Sequence, residues 1–224
     1  MNALTSTGNL ATFTERHIPR GEYQIYLHDY AGAEPAFVLM DGFPDNLGIY
    51  DRLAPLFAEA GHRIVAFDFL GYGGSDKPSG YPYTTKSPEG DLQAVVAALE
   101  LDQVVPVGHD ASGPTAIDWS LDHEDRVAAL ALLNCYYGAA PTLKFPEFIS
   151  LFADSAHRAL AMAFISDPAQ FSWLLQSQAR QFLRDAPQPI QEAAGRVLVP
   201  VAIDTSYRKT RETLERHLTS LREN

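Results

Sequence analysis

The feature that most constrains this chain is Val104-Val105-Pro106-Val107-Gly108-His109-Asp110-Ala111-Ser112-Gly113. A short apolar run ends on a small residue, presents one acid, and restarts on small residues able to open a helix. That pattern specifies a tight strand-to-helix turn, the nucleophile elbow, which lifts one side chain clear of a sheet. The usual form is G-x-S-x-G, and here the raised position holds a carboxylate, Asp110. Gly108 and Ser112, two residues to either side, are small because the turn leaves no room for bulk. Ser112 competes for the role only if position 110 is small, which it is not. Asp110 is therefore the expected nucleophile. The plainer alternative is that an aspartate at a strand–helix junction simply caps the helix.

The chain around the elbow alternates strand and helix signals. Residues 1–10 are polar and read as frayed. Thr12–Ile18 and Glu22–Tyr30 alternate polar and apolar residues across Pro19-Arg20-Gly21, which predicts an antiparallel hairpin. Ala36–Met40 and Arg63–Phe67 are short apolar runs of the kind buried on both faces of a sheet. Between them, Ile49, Leu53, Leu56 and Phe57 predict a helix that Gly61 ends. Asp68–Pro78 carries Gly71, Gly73 and Gly74 and reads as a shaped loop, with Asp68 and Asp76 bonding loop amides. Pro88–Glu100 is amphipathic, with Leu92, Val95, Val96 and Leu99 on one face. A strand at Gln103–Val107, the elbow, a helix from Gly113 to about His123 and a strand at Val127–Asn134 follow. Pro106 sits inside a strand that should be central, where it removes a ladder hydrogen bond and calls for a local bulge.

This order predicts an α/β fold, a mostly parallel sheet with helices on both faces. Ligands in such sheets bind beyond the carboxyl ends of the strands, where Asp41, Asp68, Asp110 and Asn134-Cys135-Tyr136-Tyr137 all fall. From Gly138 the alternation stops. Pro146–Leu151, His157–Ile165, Phe171–Phe182 and roughly Tyr207–Leu221 read as helices, the last carrying Leu214, His217, Leu218 and Leu221. The expected organisation is a core at 1–137 and a helical cap at 138–224.

Composition narrows the function. The net charge is −11, and Arg208-Lys209-Thr210-Arg211 is the single basic cluster, so nucleic acid is not an expected partner. No apolar run reaches the roughly 20 residues of a membrane span. Seven scattered histidines and one cysteine, Cys135, offer no metal-ligand spacing, so neither a metal nor a cofactor is expected. One cysteine and no signal-peptide pattern point to a reducing cytoplasm.

The hairpin, the Asp41-Gly42-Phe43-Pro44 turn, the Asp68–Pro78 loop and the elbow, in this order, resemble the α/β-hydrolase superfamily. Within it, the acid nucleophile and helical cap resemble the haloalkane dehalogenase and epoxide hydrolase group. The resemblance implies that Asp110 attacks an sp³ carbon to form an alkyl-enzyme ester, which a histidine-activated water hydrolyses. It implies an oxyanion hole from the backbone N–H groups of Phe43 and Ala111. It also implies a substrate pocket at Asp41, Tyr136, Tyr137 and Trp173, open to a small apolar, halogenated or epoxide substrate.

Three departures from the group's pattern bear on the chemistry. Asp41-Gly42 stands where members usually have His-Gly, and an anion there is expected to weaken the oxyanion site. Ala111 replaces the tryptophan that many dehalogenases carry after the nucleophile, and Phe43 replaces a polar halide ligand. Both favour epoxide-hydrolase-like chemistry. The third is the expectation that two late strands, their helices and the base histidine are missing, on the order of 50 residues. Two functions therefore stand side by side: an aspartate-nucleophile hydrolase, and a catalytically incompetent remnant that binds small molecules. A serine hydrolase using Ser112 or Ser75 is a third. An unpaired sheet edge after Val127–Asn134 is expected to favour self-association.

Overall fold

The computed structural model describes residues 11–43, 45–79, 81–82, 86–138, 150–151, 154–182, 184–185 and 187–188. Its sheet holds strands β1 (Thr14–Arg20), β2 (Tyr23–Tyr30), β3 (Ala33–Met40), β4 (His62–Phe67), β5 (Val104–His109) and β6 (Ala131–Leu133). Their spatial order is β1-β2-β4-β3-β5-β6. The β1–β2 and β2–β4 pairs are antiparallel, and β4–β3, β3–β5 and β5–β6 are parallel. The expected hairpin and parallel core are both present.

Successive residues of β3, β4 and β5 supply two different cores, because side chains alternate across a strand. Val38, Met40, Val65, Phe67 and Val104 face one side, against Leu92, Val95, Val96 and Leu99 of α2 (Lys86–Ala98) and its C-terminal turn. Ala116 and Trp119 of α3 (Gly113–Asp122) complete that layer. Leu39, Ile64, Ala66, Val105 and Val107 face the other side, against Leu47, Tyr50 and Ala54. Each such aliphatic side chain, fully buried, contributes about 1.5–3 kcal/mol. The Trp119 indole N–H donates to Gln93 Oε1 at 3.0 Å and ties α3 to α2.

The helix expected across Ile49–Phe57 is instead two short pieces. A 3₁₀ turn covers Leu47–Tyr50, and α1 runs from Ala54 to Glu59. The Asn46 side chain accepts from Gly48 N and starts the first piece, and Pro55 in the first turn of α1 starts the second. Restarting the helix rotates its faces. Leu47, Tyr50 and Ala54 are buried, whereas Leu56 is 59% exposed and Phe57 36%. The expected apolar face is corrected accordingly.

Pro106 also finds its account here. Ala128 N donates to Val104 O at 2.9 Å, so position 104 points toward β6, and position 106 points the same way. Val104 faces Val127, but Val107 faces Ala131. Three steps along β5 thus span four on its neighbour, a bulge opposite the residue that has no N–H to donate. The last expected strand is accordingly shorter than Val127–Asn134. Among the described residues β6 is an edge of the sheet, with Leu132 and Leu133 both exposed.

Two further helices, α4 (Arg158–Ser166) and α5 (Pro168–Phe182), pack on each other through the buried Ala161, Ile165 and Phe171. Asp167 breaks the chain between them and caps α5, its Oδ1 accepting from Ala169 N at 2.9 Å. The expected helix at Tyr207–Leu221 and most of that at Pro146–Leu151 lie outside the described residues.

One buried acid joins three parts of the core. Asp91 of α2 accepts from Arg20 Nε of β1 at 3.0 Å and from Leu70 N at 3.1 Å. It holds the hairpin and the loop after β4 against α2. Asp91→Ala strands a buried N–H and frees a half-buried guanidinium, with an expected loss of about 3 kcal/mol. Urea unfolding of the two proteins measures it.

Candidate active site

β5 ends at the elbow, and the residue that makes the turn is Asp110. Its φ is +53°, in the left-handed region where an aspartate is tolerated but a β-branched residue is not. Gly108 allows the close approach of α3, since a Cβ there would lie 2.9 Å from Ala116 Cβ and 3.1 Å from Gly113 Cα. Ser112 locks the turn from below. It is buried, its Oγ accepts from His109 N at 2.8 Å and lies 3.1 Å from Met40 O and 2.9 Å from His109 O. Ser75 is likewise buried, with its hydroxyl donating to Asp68 O at 2.6 Å and accepting from Tyr26 N at 2.8 Å. Both serines are occupied in holding loops.

The turn after β3 meets the elbow at van der Waals distance. A Cβ on Gly42 would lie 2.5 Å from Asp110 Cβ, so only glycine fits. The next residue, Phe43, donates its backbone N–H to Asp110 Oδ1 at 3.0 Å. Ala111 follows Asp110 within the 3₁₀ turn Asp110–Ser112.

Three more carboxyls crowd behind this contact. Asp68 is buried and accepts from Leu47 N and Gly74 N, both at 2.7 Å. Burial outweighs these bonds and raises its pKa to about 6. The Asp76 carboxylate accepts from Gln24 N at 2.8 Å, so both loop acids bond backbone amides as expected. Asp45 is pushed up to about 7 by burial and by the negative charge of Asp110. Asp41 is 2% exposed, and neither of its carboxyl oxygens has a hydrogen-bond partner. Burial, and then the charges of Asp68 and Asp45, hold its pKa well above the usual carboxylate range. Burial disfavours the charged form of Asp41, the residue that stands at the expected oxyanion turn.

The expected site residues divide into two groups. Asp110, Phe43, Ala111 and Asp41 converge, and Tyr136 joins them half-buried, its hydroxyl pKa raised by burial and by the Asp110 charge. Tyr137 is 58% exposed and donates to Asp118 Oδ1 of α3 at 2.7 Å. Trp173 is 57% exposed on α5. His109 is half-buried with an unbonded Nδ1, and burial lowers its pKa.

Comparison with known proteins gives this arrangement its family. A family model described as alpha/beta hydrolase fold matches residues 35–194. The chain belongs to this family. Among curated relatives it is 39% identical over 107 residues to a fluoroacetate dehalogenase of Burkholderia sp, covering 46% of this chain and 35% of that protein. It is 37% identical over 100 residues to an epoxide hydrolase of Caballeronia sordidicola, covering 44% of this chain and 30% of the relative. The chain thus spans about a third of the length of these relatives. An esterase structure from Exiguobacterium antarcticum superposes with a TM-score of 0.66 at 24% identity, over 95% of this chain and 73% of that one. An epoxide hydrolase structure, CorEH, gives 0.65 at 23% identity, over 94% and 75%. At such identity the solved structures establish the fold. The relatives are hydrolases with epoxide hydrolase and dehalogenase names. Among the described residues no helix is long and apolar enough to cross a membrane, and no cluster of potential metal ligands occurs.

Asp45 and Asp91 were not picked out by the sequence reading. Asp91 carried a usable signal, because it lies four residues before Val95 on the apolar face of its helix. Asp45 carried none, since turn aspartates are ordinarily solvated.

The raised carboxyls set a pH dependence. A group whose folded pKa exceeds its unfolded value leaves stability intact below the unfolded pKa and removes it as pH rises through the folded one. For Asp45 that window runs from its ordinary value of 3.8 to about 7. Stability is expected to fall with pH across it, and Asp45→Asn to flatten the slope, as read from urea midpoints at half-unit pH steps.

Proposed function

We propose that this α/β hydrolase is a hydrolase of the epoxide hydrolase and dehalogenase type that uses Asp110 as its nucleophile. The hydrogen bond from Phe43 N to Asp110 Oδ1, 3.0 Å long, carries the reading. It holds one carboxylate oxygen against the β3 turn and leaves Oδ2 to attack. Attack of Oδ2 on an sp³ carbon forms an alkyl ester, and the electron pair of the broken bond leaves on the epoxide oxygen or the halide. Oδ1 is then the ester carbonyl oxygen, already seated on its donor. When water adds to the ester carbon, the oxyanion forms on that same oxygen, where the Phe43 N–H, joined by Ala111 N–H, stabilises it without reorganisation. Collapse restores the carboxylate and releases the diol or alcohol, one water proton passing to the departing alkoxide and the other to a base or to solvent.

Two residues favour epoxide over halide. Ala111 and Phe43 place no side-chain N–H at the mouth of the elbow to receive a departing halide. An epoxide oxygen stays attached to its carbon and needs only a proton. Tyr136 supplies an amphipathic wall beside the nucleophile. Tyr137 and Trp173 carry exposed rings that could offer apolar surface to a substrate under this reading.

Intact-mass spectrometry after incubation with a small epoxide, and separately with a bromoalkane, tests the reading. Wild-type chain is expected to gain the mass of one alkyl group or to release product, and the epoxide to react faster. Asp110→Ala is expected to do neither. An adduct that survives in Asp110→Ala, or no reaction with either reagent, overturns the assignment. Phe43→Pro removes the N–H donor and is expected to slow ester hydrolysis by about 10²–10³-fold.

A further inference from the structure

Asp45 neither attacks the substrate nor donates to the oxyanion, yet the fold ties it to Asp110. We propose that Asp45 is the proton store of the site: it holds a proton while Asp110 is a carboxylate, gives it up when Asp110 becomes an ester, and takes one back when hydrolysis restores the carboxylate. The chemical step rests on the nucleophilic reading of Asp110. The coupling between the two acids rests on the contact between their turns.

That contact is close. Asp45 N–H donates to Gly42 O at 3.1 Å, so the turn after β3 folds Asp45 back beside Gly42. Gly42 in turn lies against the elbow, where a Cβ would be 2.5 Å from Asp110 Cβ and 2.9 Å from its Oδ1. Phe43, of the same turn, donates its N–H to that Oδ1 at 3.0 Å. Asp45 is buried, and its Oδ1 is sealed from solvent with no hydrogen-bond partner. Water screens little in such a place, so a carboxylate nearby is felt strongly. Among the described residues no ion pair reaches Asp45 or Asp110. The other groups that feel Asp45 are Asp41, at the end of β3, and Tyr50 of the 3₁₀ turn, and neither carries a positive charge. Like charges without a cation between them disfavour double ionisation, and the turn then keeps a proton on the less solvated acid.

Burial first, and then the Asp110 charge, hold Asp45 up to about 7. Ester formation removes the second cause and leaves the first, so the hold on the proton weakens part of the way. On an epoxide, the released proton balances the alkoxide formed as the ring opens. On a bromoalkane, bromide leaves with the electron pair and the proton appears in solution. When water then adds to the ester, one of its protons goes to the departing alkoxide and the other returns to Asp45 as the Asp110 charge is restored. The other groups that feel Asp110 titrate elsewhere. Burial lowers His109 from its ordinary 6.5, and raises Cys135 and Tyr136 from 9.0 and 10.0.

Carbon-13 NMR titration of the Asp45 carboxyl in the full chain reads the coupling without turnover. Asp110→Asn, neutral like the ester, is expected to lower the Asp45 midpoint by about one pH unit. An unmoved midpoint overturns the proposal. A second measurement follows protons released to an indicator dye while a bromoalkane forms the ester, which intact mass counts. A midpoint that falls from about 7 by about one unit releases about half a proton per ester near pH 6.5, and less on either side. Asp45→Asn is expected to form the ester without that release, and Asp45→Glu to restore it. Ester formation with no release, a release that does not vary with pH, or one that persists in Asp45→Asn overturns the proposal. If Asp45→Asn fails to fold, the pH profile of the wild-type chain and the Asp110→Asn titration still decide. Absence of any ester overturns the nucleophilic reading instead, and the titration alone then decides whether the two acids are coupled.

Discussion

The contact between the turn after β3 and the elbow after β5 is the constraint on which the site depends. Gly42 packs on Asp110 Cβ, Phe43 N–H bonds Asp110 Oδ1, and Ser112 Oγ lies within hydrogen-bond reach of Met40 O from below. β3 and β5 are neighbours in the sheet, so their carboxyl ends arrive together without a long loop to position them. The strained φ of Asp110 persists because packing on both sides leaves it no alternative. A carboxylate held this way is already oriented, and the entropy of ordering it is lost in folding; that suits the nucleophilic role proposed for Asp110.

The same convergence brings four carboxyls near one another, and the structure separates their roles by environment. Asp110 stands half-buried beside a single N–H donor. Asp68 is bound on both oxygens and serves as a brace between the loop after β4 and the 3₁₀ turn after β3. Asp41 and Asp45 are desolvated without full compensation and keep their protons further up the pH scale. Such groups cost stability as the pH rises through their folded values.

Much of the fold was legible in the residues because it rests on local rules. Period-two alternation announced the hairpin, short apolar runs announced strands covered on both faces, and Leu92, Val95, Val96 and Leu99 announced α2. The elbow was legible because few residues fit its turn, so Gly108, Asp110 and Ser112 constrain one another at fixed spacing. Reading failed where a local signal had two continuations. Leu56 and Phe57 keep helical spacing with Ile49 and Leu53, but Asn46 and Pro55 start separate turns, and the phase is lost between them.

By itself the sequence determined the order of elements, the doubly covered parallel sheet, and which residue stands at the raised position of the elbow. These follow from side-chain periodicity and from turn sterics, both of which act over a few residues. Tertiary structure alone decided the desolvation of Asp41, the occupation of Ser75 and Ser112, the bulge opposite Pro106, and the separation of Tyr136 from the exposed Tyr137 and Trp173. Each of these depends on what distant segments bring within a few ångströms: desolvation, an unmatched carboxyl, or a neighbouring strand one residue out of step. No short stretch of sequence carries that information, because burial and partnership belong to the packed molecule rather than to any residue in it.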